Sequence, residues 1–406
     1  MAAYKVREPG PAGLKAERKS WEHRTVPPET TFRRLEPFLE VAAITRIADL
    51  TGLDRIGIPV FQAVRPLGLS LSASQGKGAT AAAARVSAVM EALEIWHAET
   101  ETLDGVHAAP GALKGRALDR DALAAFAIAP PDFDLAFAWT EATDCTDGGS
   151  VFVPRDLANL DFTRDGDPPW LLRSTDGLAG GNTLGEALAS ATAELIERAC
   201  TAAFRRISPE LRAARRINPR ILAAEDDRIA RLVEPIQAAR LELELFDMTN
   251  DLGVTAIEAV IYDLDAPGPS HLPCLGHGAH LDPVTAVTRA ITEAAQTRLT
   301  HVSGNRDDIL PDHYSDHHLS NTLRRFERGF DMAGTCRGLD LTDRSGASPA
   351  EDFSEMVARI TAKREGPVLF VDLTKPHIGV PVAKVLAPGL RRKPPGQHAN
   401  GGGGQS

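Results

Sequence analysis

The sequence predicts a protein of the α/β (α+β) class, with mixed sheets flanked by helices. Short β-branched or alternating runs recur along the 406-residue chain. Long stretches of helical spacing interrupt them, the strongest over 80–100, 182–206 and 283–302. The two kinds of segment are mixed throughout, and no repeat of fixed period organises them.

The elements follow in order. Residues 1–20 are polar and basic and read as a loose arm. Glu29 to Val41 reads as a helix after Pro27-Pro28. Ile44–Asp49 and Ile56–Val64 read as short strands, the second interrupted by Pro59. Leu67–Ser72 alternates like a further strand and runs into Ser74-Gln-Gly-Lys-Gly78, a glycine loop before the first long helix. Ala136–Thr140 and Val151–Pro154 suggest a hairpin across Asp147-Gly-Gly. Ser174 to Gly181 is a glycine-rich loop that opens the second long helix, from Asn182 to about Arg206. A helix is expected over Asp226–Ala239, with strands at Leu241–Asp247, Val254–Tyr262 and His271–His277. Pro283–Val302 is the third strong helix. Met356–Ile360 lies in a helix, Val368–Asp372 in a strand and Pro381–Ala387 in a β-branched segment. The expected layout is one domain over 21–390 and a disordered tail over 391–406, which ends in glycines.

A formal net charge of -10 argues against a nucleic-acid binder, because phosphate contacts need a basic surface. No run approaches the roughly 18 apolar residues that span a bilayer. The first residues carry no signal-peptide hydrophobic region, so a cytoplasmic location is expected. Cys145, Cys200, Cys274 and Cys336 are far apart and read as buried thiols rather than a zinc site.

The chemistry-bearing residues are glutamates. Glu91 and Glu94 share one helix, and Glu186, Glu194 and Glu197 share the next. A spacing of three puts two side chains on one face, where like charges repel. At about 100° per residue, Asn182, Glu186, Glu194 and Glu197 fall within a stripe about 120° wide. Helices that faced each other would bring these carboxylates together, and hard oxygen ligands of this kind suit magnesium. A solvated acidic face is the plain alternative for either helix alone. The third helix carries Glu293, Gln296, Arg298 and His301, followed by Arg306-Asp-Asp308. An arginine such as Arg298 matches phosphate oxygens with its planar fork. Gln296 and Arg298 diverge by about 200° and cannot both point into one site.

Taken together, these motifs resemble the YcaO family. The resemblance rests on Ser74-x-Gly-Lys-Gly78, Ser87-Ala-x-x-Glu91-x-x-Glu94, Asn182-x-x-x-Glu186 and Glu194-Leu-Ile-Glu197-Arg198, and spans about residues 20–390. His23-Arg-Thr-Val, the segment Thr45–Pro59, Glu94-Ile-Trp-His-Ala-Glu99 and Glu293-Ala-Ala-Gln-Thr-Arg298 are similar to the branch that works with a TfuA partner. The resemblance implies a YcaO-type fold, an ATP site between helices, and magnesium held by Glu91, Glu94, Glu186, Glu194 and Glu197. It implies nucleotide contacts at Arg24, Thr31, Ser74, Lys77, Asn182, Arg198 and Arg298. Five carboxylates and an ATP tetraanion gather about nine negative charges, which calls for two or three magnesium ions. A peptide or protein substrate, a TfuA-like partner and a homodimer are further implications. Ala199 stands where the family has Asp, and Ile95 where an arginine is common. The P-x-P-x-P tail of azoline-forming members is not matched, as the chain runs Val380-Pro-Val-Ala-Lys-Val-Leu-Ala-Pro388 and then Arg391-Arg-Lys-Pro-Pro395. The expected activity is therefore ATP-dependent activation of a backbone amide leading to a thioamide. Azoline formation and a non-catalytic ATP-binding regulator are the alternatives.

Overall fold

Strand–turn–helix units organise the fold of this computed structural model, which describes residues 14, 17–100, 103, 105–263, 273–304 and 337–391. The helices are α1 (Pro28–Leu35), α2 (Ala81–Glu99), α3 (Arg120–Ala124), α4 (Leu184–Phe204), α5 (Pro209–Ala213), α6 (Pro219–Glu225), α7 (Asp227–Ala238), α8 (Pro283–Ser303) and α9 (Pro349–Lys363). The strands are β1 (Arg46–Asp49), β2 (Val60–Val64), β3 (Ala73–Lys77), β4 (Val106–Ala108), β5 (Phe137–Asp144), β6 (Ser150–Pro154) and β7 (Leu178–Gly180) in the first half. They continue as β8 (Arg216–Ile217), β9 (Glu242–Asp247), β10 (Thr255–Tyr262), β11 (Cys274–His280), β12 (Leu369–Asp372) and β13 (Val382–Leu386).

Three sheets result, ordered β1-β2-β3, β11-β10-β9-β8 and β4-β5-β12-β13-β7, with β6 paired to β5. Every ladder between these strands is antiparallel, so the α+β half of the expected class describes the molecule. β3, β7 and β11 each turn within a few residues into a long helix, α2, α4 and α8. A polar side chain caps each helix start. Thr80 accepts from the Ala83 amide, Thr183 from the Glu186 amide, and Asp282 from the Val284 and Thr285 amides. Such caps satisfy amides that the helix itself cannot pair. Apolar cores then form around α2, around α4 with α9, and around α7 with α8.

The long helices lie within a residue or two of their expected positions, and the hairpin β5–β6 closes across 145–149. Several local expectations change, and the helix expected over Glu29–Val41 ends at Leu35. Leu67–Ser72 forms turns and bends, because no neighbouring strand takes its alternating face. Ser74–Lys77 belongs to strand β3, and Leu178–Gly180 to strand β7. Gly76 is there for packing rather than for a loop. A Cβ at this position would lie 1.9 Å from the Ala88 nitrogen and 2.3 Å from the Ala84 oxygen of α2. Lys19, expected in a loose arm, is anchored by its ammonium on Asp352 at 2.7 Å. The remaining arm residues apart from Leu14, 17, 18 and Ser20, the tail after Arg391, Arg306–Asp308 and Cys336 lie outside the described residues.

Because the α2 backbone occupies the space a side chain would need, Gly76→Ala is expected to destabilise the protein by about 3 kcal/mol. Urea unfolding measures this; a glycine in an open loop would lose only a few tenths of that.

Candidate functional site

Helix α2 carries Glu91 and Glu94, and α4 carries Glu186, Glu194 and Glu197. Strand β7 joins the two. The Gly180 amide donates to Glu94 Oε1 at 2.5 Å. A Cβ at Gly180 would meet Met90 Sδ at 2.7 Å and Glu94 at 3.2 Å, so only glycine lets this backbone approach the carboxylate. Burial pushes the Glu94 carboxyl up to about 8. The Gly180 amide opposes that rise, the Glu91 and Glu194 carboxylates add to it, and Arg24 opposes it more weakly. The acidic faces of α2 and α4 therefore meet.

Glu186 is in the opposite condition. It is 1% exposed, yet every lone-pair direction has a donor. The Thr25 amide and hydroxyl reach Oε1 at 2.6 and 2.7 Å. The Asn182 amide and side-chain nitrogen each reach Oε2 at 3.0 Å. Arg24 Nη1 lies 3.5 Å from Oε2. Burial raises this carboxyl, but Arg24 and these hydrogen bonds outweigh it and hold it below its ordinary value. Thr31 Oγ1 donates to Asn182 Oδ1 at 2.9 Å. Arg24, Thr25, Thr31, Asn182 and Glu186 thus form one network at the start of α4.

Glu194 accepts from the Gly177 amide at 3.1 Å and from Arg198 at 3.2 Å. Burial still raises its carboxyl, against the pull of Arg198. Arg198 also lies 3.6 Å from Asp176. Glu197 is 5% exposed and makes no hydrogen bond or ion pair with any described residue. Burial raises it, and so does Glu293 of α8, while Arg289, Lys77 and Arg198 oppose. One ligand atom each from Glu197, His277 of β11 and Glu293 all lie within 4.8 Å of one another. His277 faces Glu258 across the β10–β11 register, with Nε2 and Oε2 3.3 Å apart. Burial would lower this imidazole, but Glu258 and Glu293 bring it up to about 9. Lys77 pairs with Glu293 and, with His277, holds that carboxyl far below its ordinary value despite burial.

Two residues expected at the nucleotide have other surroundings. Arg298 is 4% exposed, with its Nε donating to Asp54 at 2.9 Å and its Nη2 4.0 Å from Asp263. Gln296, on another side of α8, donates to the Gln75 carbonyl at 2.7 Å. Ser74 is 2% exposed within β3, opposite Ala63. Thr25, Glu258 and His277 received no role from the sequence, and Glu293 was placed on its helix without one. Thr25 was visible only as part of His23-Arg-Thr-Val. Glu258 and His277 depend on strand register, which leaves no spacing signal. The thiols of Cys145, Cys200 and Cys274 are all buried and pushed upward by burial, which matches an inert structural role.

Glu197, a buried carboxylate without a hydrogen bond or ion pair among the described residues, stands beside Glu293 and His277, and a hard divalent cation satisfies a carboxylate pair of this kind. Fold and site together describe an α+β protein in which α2, α4 and α8 carry acidic side chains towards one another. The chain belongs to the YcaO family: the family model "YcaO cyclodehydratase, ATP- and Mg2+-binding" matches residues 75–391. ATP and Mg2+ are accordingly its cofactors. A Rhizobium leguminosarum bv. trifolii protein described as an uncharacterized protein in the tfuA 3' region is 36% identical, over 93% of this chain and 91% of its own. An uncharacterized protein of Methanothermobacter thermautotrophicus is 34% identical, over 90% and 94%. Among solved structures, YcaO from Methanopyrus kandleri bound with AMPPCP and Mg2+ has a TM-score of 0.70 at 24% identity, covering 90% of this chain and 92% of that one. A heterocyclase in complex with substrate and cofactor has a TM-score of 0.78 at 23% identity, over 95% of this chain. This chain spans 55% of that heterocyclase. No described helix is long and apolar enough to cross a membrane.

In metal-free protein, Glu94 gives a pH signature of definite sign. Its folded value of about 8 lies above the unfolded 4.5, so its stabilising contribution is full below pH 4.5 and lost as pH rises towards 8. Urea unfolding in EDTA should show stability falling over that window, by on the order of 1 kcal/mol per pH unit, and Glu94→Gln should flatten the slope. A wild-type slope equal to that of Glu94→Gln would contradict this.

Proposed function

We propose that the chain activates a backbone amide of a peptide or protein by O-phosphorylation from ATP, and that the product is a thioamide. The observation that carries this reading is the Glu94–Glu194–Glu197 group, whose three carboxyls are all raised by loss of solvent despite the cations near them. Glu91, Glu94, Glu186, Glu194 and Glu197 are the proposed magnesium ligands, with Glu293 and His277 beside Glu197. Bound magnesium would supply charge neutralisation for the triphosphate and the carboxylates. The chain's own residues orient and anchor. Thr25 and Asn182 fix both oxygens of Glu186. Gly177 and Arg198 aim Glu194, and Gly180 aims Glu94. Arg24, half exposed, and Lys77 put positive charge where phosphate oxygens would arrive.

The amide oxygen attacks the γ-phosphorus of ATP, ADP leaves, and the amide becomes a phosphorylated imidate. A sulfur nucleophile adds at that carbon and phosphate leaves with the original oxygen, giving the thioamide. Little covalent chemistry falls to protein side chains, and the gain comes from positioning and electrostatics. The relative encoded in a tfuA 3' region supports a TfuA-like protein as the partner that delivers sulfur. Azoline formation is the second reading, favoured by the family description as a cyclodehydratase. In that case a Cys, Ser or Thr side chain of the substrate is the nucleophile.

Incubation with ATP, Mg2+, the TfuA-like partner and a candidate peptide, read by mass spectrometry, separates the readings. A thioamide adds roughly 16 Da and an azoline removes roughly 18 Da, phosphate leaving in both. Glu94→Gln and Glu194→Gln are expected to stay folded and lose at least about 100-fold in turnover. ATP binding without phosphate release in the complete mixture would instead mark a non-catalytic regulator.

A further inference from the structure

The segment from Lys19 to Thr25 crosses the starts of three long helices and touches an acidic residue at each. Lys19 Nζ lies 2.7 Å from Asp352 in the first turn of α9. His23 Nε2 lies 2.9 Å from Asp282 Oδ2, the N-cap of α8. Arg24 and Thr25 hold Glu186 in the first turn of α4. Between these anchors the chain makes a tight turn. The Trp21 amide pairs with the Arg24 carbonyl and the Arg24 amide with the Trp21 carbonyl, at 3.1 and 2.8 Å. Glu22 takes a φ of 47°, which its side chain tolerates only because the turn is held on both sides. His23 sits at the tip of this turn, directly before the two residues that grip Glu186.

We infer that His23 is a positioning residue of the nucleotide site, acting through Arg24 and Thr25. The inference rests on the proposed ATP site. The imidazole is only 14% exposed and packs at 4.4 Å against the ring of His280. Its bond to Asp282 fixes the turn relative to α8, and the turn fixes which way Arg24 faces. Without that bond the turn is held at Lys19, at Glu186 itself and by the Arg24 Nη1 bond to Ser190 Oγ at 3.2 Å. Arg24 would then have to order its own backbone on binding phosphate, a cost that the anchored turn avoids.

The group His23, His280 and Asp282 also offers ligand atoms within 4.8 Å of one another, but it is not built for a cation. Asp282 Oδ2 already accepts from His23, the Thr285 amide and the Thr285 hydroxyl, with Arg228 Nη1 at 3.5 Å. His280 Nδ1 accepts from the Asp282 amide at 2.9 Å. Positive charge and hydrogen bonds already fill the places a metal would take.

Isothermal titration of the full chain with AMPPCP in excess Mg2+ tests the inference, with thermal unfolding followed in parallel. His23→Ala is expected to weaken AMPPCP binding about tenfold, a size common for residues that orient a ligand's direct contacts. His23→Gln, whose amide can still donate to Asp282, should recover most of that affinity. The double variant His23→Ala/Arg24→Ala should bind no more weakly than Arg24→Ala alone, because both changes remove one function. A purely structural histidine would instead give effects that multiply and follow the melting temperature. His23→Asn, which shortens the reach but stays polar, serves if the alanine variant does not fold. Binding within twofold of wild type in folded His23→Ala or His23→Asn overturns the inference, as do multiplying effects in the double variant. Glu94→Gln separates this from the underlying reading: if wild type and Glu94→Gln bind AMPPCP alike, or neither binds, the ATP site itself is wrong.

Discussion

Between α2 and α4 several carboxylates are withdrawn from water, and the rest of the site follows from what each of them has to offset that loss. A buried carboxylate without compensation is costly, and it responds by taking a proton or by recruiting charge. The glutamates here divide along this line. Glu186, with four hydrogen bonds and Arg24 nearby, stays ionised. Glu94, with one amide and two neighbouring carboxylates, is pushed up to about 8. Glu197, without a hydrogen bond or ion pair among the described residues, is raised as well. Hydrophobic residues of similar volume would make a more stable core. That stability is forgone where three helices carry their acids into one place, which is the trade expected of a site that receives charged ligands.

Such a cluster needs rigid supports, since like charges push their carriers apart. The supports are short and mostly backbone. Capped helix starts after β3, β7 and β11 fix where α2, α4 and α8 begin. The amides of Gly177 and Gly180 act as oriented donors that cannot swing away as side chains can. Lys77 and His277 bracket Glu293 from strands β3 and β11, which belong to different sheets. The same two cations that quiet Glu293 therefore stand beside Glu197, the carboxylate left most open. Positive charge is adjacent to the gap but does not close it.

The long elements were legible because helical periodicity holds over many residues, and the Glu-x-x-Glu spacing places its acids on one face without any knowledge of tertiary structure. Gly76 misled because a glycine that admits a helix backbone looks, in sequence, like one that admits a turn. Leu67–Ser72 misled because alternation alone does not supply a partner strand. Arg298 shows the limit for charges. Helical phase separates it from Gln296, as the structure bears out, but only tertiary contact reveals that Asp54, 244 positions away, claims it. Glu258 and His277 were invisible for a related reason, since they meet only through the β10–β11 register.

The thioamide and azoline readings share their first half, in which an amide oxygen takes a phosphoryl group, and part only at the nucleophile. On either reading the residues gathered between α2, α4 and α8 would serve that shared half, by holding charge and position. Strand β13 is built into the sheet, with every residue from Val382 to Leu386 buried. Beyond it, Arg391 turns back to within 3.6 Å of Asp176, which also neighbours Arg198. A scaffold arranged in this way leaves the second nucleophile to its surroundings, whether to a side chain of the substrate or to a partner that carries sulfur. On the thioamide reading the partner adds the missing reactant without altering a single metal-facing residue, and the acidic helices can stay the same while the product changes.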